Sequence, residues 1–462
     1  MSRLAFRDIV RLAWPVYVSQ VAVMANGVID TVMAGRYGTL DLAAVGIGAS
    51  IYATLFITLM SVLLALTPIA AQAYGAGRHA EIGESVRQCG WLAVWLALVS
   101  LALLKHPQPL FALSRLAPDV ETRTAAYLDA IAWAVPATLL FRVFAGFSTA
   151  ISRPRPVMVL NLAGLALKVP LNWVLMNGEL GLPALGAAGC AAATAVIAWL
   201  TCAAAWLWCR REPDYRRYRV FERWSWPRAR AQWQLVALGV PIGATFFVDV
   251  TAFTFMALFI ARSGALWSGA HQIAANLAAL AFMLPLAIGI ASGVLVGQAL
   301  GARTPGRART MGLAGLGLGL ACGAAVGATL VLAARPIVAL YTSDPDVQRI
   351  AVGLLAFVGV YHVFDALQVA AVNAVRAYER TAVPMVIYAV ALWGVALGGG
   401  YALGITGFGA FGSEVAPMGA TGFWAAAVAG MVLTATLVTA YFLRLSRAAP
   451  PFEPRDARRA AA

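Results

Sequence analysis

Charged residues stand inside otherwise apolar runs: Asp30 in NGVIDTVMAG, Arg142, Lys168 in KVPLN, Asp249 in FFVDVTAF and Asp365 in VFDALQ. A charged side chain at mid-bilayer costs about 2.5–3.5 kcal/mol on insertion scales, so each charge kept there calls for a functional reading. A carboxylate at Asp30 needs a compensating cation, proton or hydrogen-bond donor, which would let it trade a proton for a cation. A structural ion pair is the competing reading. Asp249 and Asp365 lie in the second half. Facing one another, they could bind one Na⁺ as a tentative metal site, or share a proton. Lys168 and Asn172 are four residues apart and share a helix face. Pro170 between them can free backbone carbonyls. Lys168 is expected to pair with Asp30; the alternative is that it snorkels to a helix end.

Secondary candidates are Arg142, His362 and Gln272. Arg142 reads as an interhelical anchor rather than a substrate contact. His362 precedes Asp365 by three residues, on about the same face, and His271 stands near the start of an apolar segment. A proton relay through them is possible, but hydrogen-bonded structural histidines are the expectation.

The elements that must hold these residues are long apolar helices. Of 462 residues 61% are apolar and 12% charged, against roughly 25% charged in soluble domains. A spanning helix needs about 20 apolar residues. Twelve segments qualify, near 12–35, 44–73, 88–104, 124–150, 156–177, 185–209, 235–261, 270–300, 311–333, 350–375, 383–406 and 420–443. No connection is long enough to fold alone, so no soluble catalytic domain and no enzyme activity are expected. The first apolar run is too long for a cleavable signal and lacks a small-residue cleavage site. The five cysteines show neither metal nor disulfide spacing and read as small packing residues.

The net charge of +14 does not imply nucleic acid, because the arginines lie between apolar segments. The termini and the loops after even-numbered segments carry 25 Lys and Arg; the other loops carry 7, and Arg142 and Lys168 complete the 34. That bias predicts both termini in the cytoplasm. An offset of 226 aligns Leu12 with Leu238, Pro15 with Pro241, Arg36 with Arg262, Gln72 with Gln298 and Gly75 with Gly301. A repeat of six helices keeps one orientation, so the expected fold is all-α and polytopic, with twelve transmembrane helices. They form two six-helix bundles related by a pseudo-two-fold axis along the membrane normal, as in transporters that rock about a central site. The division drawn from this pattern is bundle 1–209, basic cytoplasmic linker 210–234, bundle 235–444 and cytoplasmic tail 445–462. Neither lysine stands in GxxxxGK[ST], so no such ATP site is expected, no cofactor is needed, and an ion gradient of H⁺ or Na⁺ is the expected power source.

The chain resembles the MATE (multidrug and toxic compound extrusion) transporters, bacterial NorM branch. The resemblance runs over about 10–440 and is carried by DTVMAGRYG at 30–38, TPIAAQAYGAGR at 67–78, VPLN at 169–172, LGAAGCAAATA at 185–195, PIGATFFVDVTAF at 241–253 and FDALQ at 364–368. It implies two bundles around a cleft, and export of cationic or amphipathic drugs in exchange for H⁺ or Na⁺ by alternating access. Asp30 matches the first-bundle carboxylate, Asn172 and Thr194 match polar residues around it, and Asp365 matches the second-bundle carboxylate. Asp249 stands where this branch usually has Glu. Lys168 stands where the family commonly has Asn, putting an ammonium where a Na⁺ might otherwise sit; the first bundle is then proton-coupled or carries a fixed internal cation. A monomer in the bacterial inner membrane, with small-molecule drugs and lipid as partners and no nucleic acid, is expected. The alternative is a lipid-linked precursor flippase of the same superfamily. It would favour a cationic cleft, whereas this chain brings carboxylates.

Overall fold

The computed structural model describes residues 3–109, 111, 117–410 and 413–448. The expected tail beyond Ala448 lies outside these. Among the described residues, eleven helices are long and apolar enough to cross a membrane. A bent pair, Pro118–Ala132 with Ala134–Ala150, makes a twelfth span with a 41° break. The bend has a local cause: Pro136 has no N–H to give the carbonyl of Ala132. In chain order the spans are 1 (Arg3–Tyr37), 2 (Thr39–Gly75), 3 (His79–Lys105), 4 (the bent pair), 5 (Arg155–Asn177), 6 (Ala187–Arg211), 7 (Ala229–Ala261), 8 (Ala265–Gly301), 9 (Pro305–Leu332), 10 (Pro345–Ala377), 11 (Ala382–Thr406) and 12 (Ala420–Ala448). All twelve predicted segments are present, but most run longer than the hydropathy implies. Span 3 begins at His79 rather than 88, because Glu81, Glu84 and Arg87 are helical yet polar. One element was not foreseen. Phe408–Ala410 pairs antiparallel with Ser413–Val415 as a short hairpin between spans 11 and 12.

The chain divides into two compact units, Trp14–Gly243 and Met1–Ala13 with Ala244–Ala462. The cuts fall within spans 1 and 7. A 33-residue helix such as span 7 is about 50 Å long, so its two ends can belong to different packing groups.

In the first unit, the segment between spans 6 and 7 is docked rather than free. Arg87 donates from Nη1 to the Arg219 carbonyl (2.8 Å) and from Nε to Ser225 Oγ (3.0 Å). Gln88 Nε2 donates to the Trp226 carbonyl (2.9 Å), and the Tyr215 hydroxyl donates to Ser148 Oγ (3.0 Å). The linker therefore packs as part of the first unit. Gly83 permits it, since a Cβ there would run into the Tyr218 carbonyl oxygen, a backbone atom that cannot swing aside. Gly83→Val should lift the linker from span 3, and limited trypsin digestion should then cut at Arg217, Arg219 or Arg223 several-fold faster than in the wild type.

The second unit is built on small residues. A Cβ at Gly319 or Gly323 of span 9 would meet Ala366 of span 10, and one at Gly327 would meet the Gly359 backbone. Gly289 and Gly293 of span 8 lie equally close to Val369 and Asn373. Such residues let helix backbones approach closely in lipid, where apolar burial between helices drives little. Span 10 is thereby clamped between spans 8 and 9. Trp424 of span 12 is fully buried in this unit, with ring centroids of Phe253, Tyr361 and His271 at 6.3, 6.0 and 5.9 Å. Span 11 widens into π-helical turns over Val390–Gly398 and Ala402–Thr406; Gly400 between them and Gly404 in the second make room for the Phe423 ring.

Candidate functional site

Each unit brings aspartates singled out from the sequence together with partners from other spans. In the first, Lys168 Nζ lies 2.8 Å from Asp30 Oδ1. Lys168 is 1% exposed and Asn172 is fully buried. Asn172, one turn further along span 5, donates from Nδ2 to the same Asp30 oxygen at 2.7 Å. Lys168 also donates to Thr194 Oγ1 and to the Cys190 carbonyl (3.3 Å), both on span 6. Thr194 returns its own hydroxyl to that carbonyl at 2.9 Å. Lysine's three donors thus find a carboxylate, a hydroxyl and a carbonyl, which satisfies a buried ammonium. The snorkelling alternative is excluded. The close approach of spans 5 and 6 holds this geometry: a Cβ at Gly189 would strike the backbone of Leu175 and Met176. One acceptor is left over. Asn172 Oδ1 is buried with no hydrogen-bond partner, a cost that a further donor or cation would relieve.

In the second unit, the Tyr388 hydroxyl of span 11 donates to Asp249 Oδ1 of span 7 at 3.0 Å. Asp249 and Asp365 lie within electrostatic reach of one another, and Tyr361 is within reach of both. Tyr361 and Asp365 are four residues apart on span 10 and share a face. Asp365 is 5% exposed, and among the described residues it forms no ion pair. Two carboxylates and two phenols supply hard oxygen donors of the kind that Na⁺ accepts, and Asp249 and Asp365 are the residues that would hold it. Among the described residues no cluster of three or more His, Cys, Asp and Glu offers a site for a more demanding metal.

The secondary candidates are not gathered here. Gln272 is exposed. The buried Nε of Arg142, expected from sequence to anchor neighbouring helices, makes no hydrogen bond. His362 is 1% exposed and its Nε2 is unpartnered, as is Nδ1 of His271. Neither of these two nitrogens makes the hydrogen bond expected of a structural histidine, and His362 stays one turn from Asp365 on span 10.

Sequence reasoning missed Tyr388 and Tyr361. The four-residue spacing from Asp365 could have pointed to Tyr361, while Tyr388 sits in an apolar run that carries no signal. It also missed Asp41. That side chain is buried, pairs with Arg123 (2.5 Å), and accepts from the Ala187 backbone N–H (2.7 Å), capping span 6.

The chain matches the MatE family over residues 15–174 and again over 241–402. The two matches begin 226 residues apart, the same offset as the internal repeat. It is 44% identical to "Probable multidrug resistance protein NorM" of Aromatoleum aromaticum, covering 92% of this chain and 91% of that protein. It is 37% identical to multidrug resistance protein PmpM of Pseudomonas aeruginosa, over 97% and 93% of the two chains. Its fold is shared with the Vibrio cholerae MATE transporter VcmN in the bent form: TM-score 0.83, 18% identity, covering 96% of this chain and 97% of that one.

Proposed function

This chain belongs to the MATE family, and from that membership we propose that it is a multidrug efflux transporter, working as a secondary antiporter of the bacterial inner membrane. It is a transporter, not an enzyme, and an integral membrane protein. Its substrates are cationic or amphipathic compounds, exported by alternating access in exchange for H⁺ or Na⁺. The relatives named for multidrug resistance support the substrate class. The excess of arginine on one side supports cytoplasmic termini.

The observation that carries ion exchange is the pair of aspartate sites, Asp30 in the first unit and Asp249 with Asp365 in the second. Asp30 holds an internal cation, Lys168, and next to it an acceptor without a donor. Asp249 and Asp365 hold no internal cation. An exchanger needs each ligand to bind one conformational state better than the other. A site that is satisfied by a movable proton or cation in one state and by substrate in the other meets that condition. With Lys168 beside Asp30, the first site works with H⁺ or keeps Lys168 as a fixed internal cation, and Na⁺, where it is the coupling ion, acts at Asp249 and Asp365.

The test is efflux of a fluorescent lipophilic cation from proteoliposomes with H⁺ and Na⁺ gradients imposed separately. At least one gradient should drive extrusion severalfold above the gradient-free rate. Extrusion that responds to neither would overturn antiport while leaving the family untouched.

A further inference from the structure

Between Arg210 and Arg230 the chain carries eight arginines against three acids, together with Trp224 and Trp226. These tryptophans are 74% and 71% exposed, and Trp233 just beyond is 72% exposed. They are nonetheless held in place. Trp91 of span 3 stacks on Trp226 (centroids 6.0 Å, 15°) and meets Trp224 edge-on at 5.6 Å; Trp224 and Trp226 meet edge-on at 5.9 Å. The backbone beneath them is pinned: Trp91 Nε1 donates to the Ser225 carbonyl (2.9 Å), the Arg228 N–H donates to Gln88 Oε1 (2.9 Å), and Gln232 Nε2 donates to the Gln88 carbonyl (2.8 Å).

The level of this platform follows from span 3. The helix is polar through Glu84, Arg87 and Gln88 and then carries no charged residue until Lys105. Trp91 stands just past that change, and its helix face continues into Trp95 and Leu98, each 52% exposed. The three-indole cluster therefore sits where the lipid-facing surface meets the headgroup layer, the level tryptophan favours. Two guanidinium groups flank it with little internal compensation. Arg223 is exposed and, among the described residues, makes no ion pair. Arg228 is 69% exposed and reaches Glu84 only at 3.7 Å. Arg87, by contrast, is occupied by Glu84, Ser225 and the Arg219 carbonyl.

We propose that this docked segment is a binding site for an anionic phospholipid of the leaflet it faces, with Arg223 and Arg228 on the headgroup phosphate and Trp224 and Trp226 against the glycerol and upper acyl region. Exposed indoles gain by contact with lipid, and uncompensated arginines at a membrane surface attract anionic headgroups. The proposal does not depend on which ion drives transport.

The experiment uses the full chain in nanodiscs of phosphatidylcholine with increasing phosphatidylglycerol. Tryptophan quenching by lipids brominated high on the acyl chain and lipid retained in native mass spectrometry are both read. Wild type should prefer phosphatidylglycerol, and the double variant R223Q/R228Q should lose that preference by about an order of magnitude. The equally exposed pair R303Q/R307Q, in a different arginine-rich loop, should keep it. W224F/W226F should lose the part of the shallow quenching that depends on phosphatidylglycerol while keeping the same thermal midpoint. A wild type without preference, or equal losses in both arginine pairs, would show a diffuse surface charge and overturn the site.

Discussion

Lys168→Met should be the most damaging single substitution in the first unit. It leaves the partly buried Asp30 carboxylate with only Asn172 donating to it, and takes one donor each from Thr194 Oγ1 and the Cys190 carbonyl. Breaking one side of a buried ion pair costs about 3–5 kcal/mol. The thermal midpoint in detergent should fall by several degrees, and drug efflux should drop at least tenfold. Removing both charges, in Asp30→Asn with Lys168→Met, should recover most of the stability, because no charge is then orphaned, yet recover no transport. Lys168→Asn, which restores the residue common in the family, should change the Na⁺ and pH dependence of efflux. A Lys168→Met protein that melts with the wild type and transports with unchanged ion dependence would remove the ion pair from the mechanism.

Asp365→Asn should behave in the opposite way. Asp365 has no ion-pair partner among the described residues, so its neutral isostere orphans no counter-charge. The protein should insert, and should melt at or above the wild-type temperature, while efflux falls to about a tenth or less. Thermal unfolding and dye efflux on the same preparation read the two quantities apart. Tyr388→Phe should be milder than Asp365→Asn. It removes one hydrogen bond to Asp249, of a kind worth about 1.5–3 kcal/mol when the acceptor is charged. Full efflux in Asp365→Asn would remove the second site from the coupling scheme. The contrast between Lys168 and Asp365 is thus a contrast between a charge neutralised inside the protein and a charge left for an ion to neutralise.

Much of this was readable before any coordinates. A segment in lipid must satisfy its own backbone, so spanning helices announce themselves as long apolar runs. Lys168 and Asn172 could be put on one face because a helix returns nearly to the same side after four residues, and both do reach Asp30. The bend at Trp133, the hairpin at 408–415 and the docking of the linker were not readable. Hydropathy averages over about twenty residues, whereas the bend and the docking each depend on a single residue, Pro136 and Gly83.

What the sequence by itself determined is the number of spans, the six-helix repeat, the sidedness bias and which charges are kept inside apolar helices. These depend on composition and period, which are properties of short windows. What only the tertiary structure decided is who meets whom. Asp30 finds Asn172 across 142 residues, and Tyr388 finds Asp249 across 139. Those meetings depend on which face each helix turns to its neighbours, and that is set by where glycines let backbones close up, as at Gly189, Gly319 and Gly323. Lys168 shows the division most plainly. The sequence announced a costly charge in a membrane helix, and packing supplied the carboxylate, hydroxyl and carbonyl that make it tolerable.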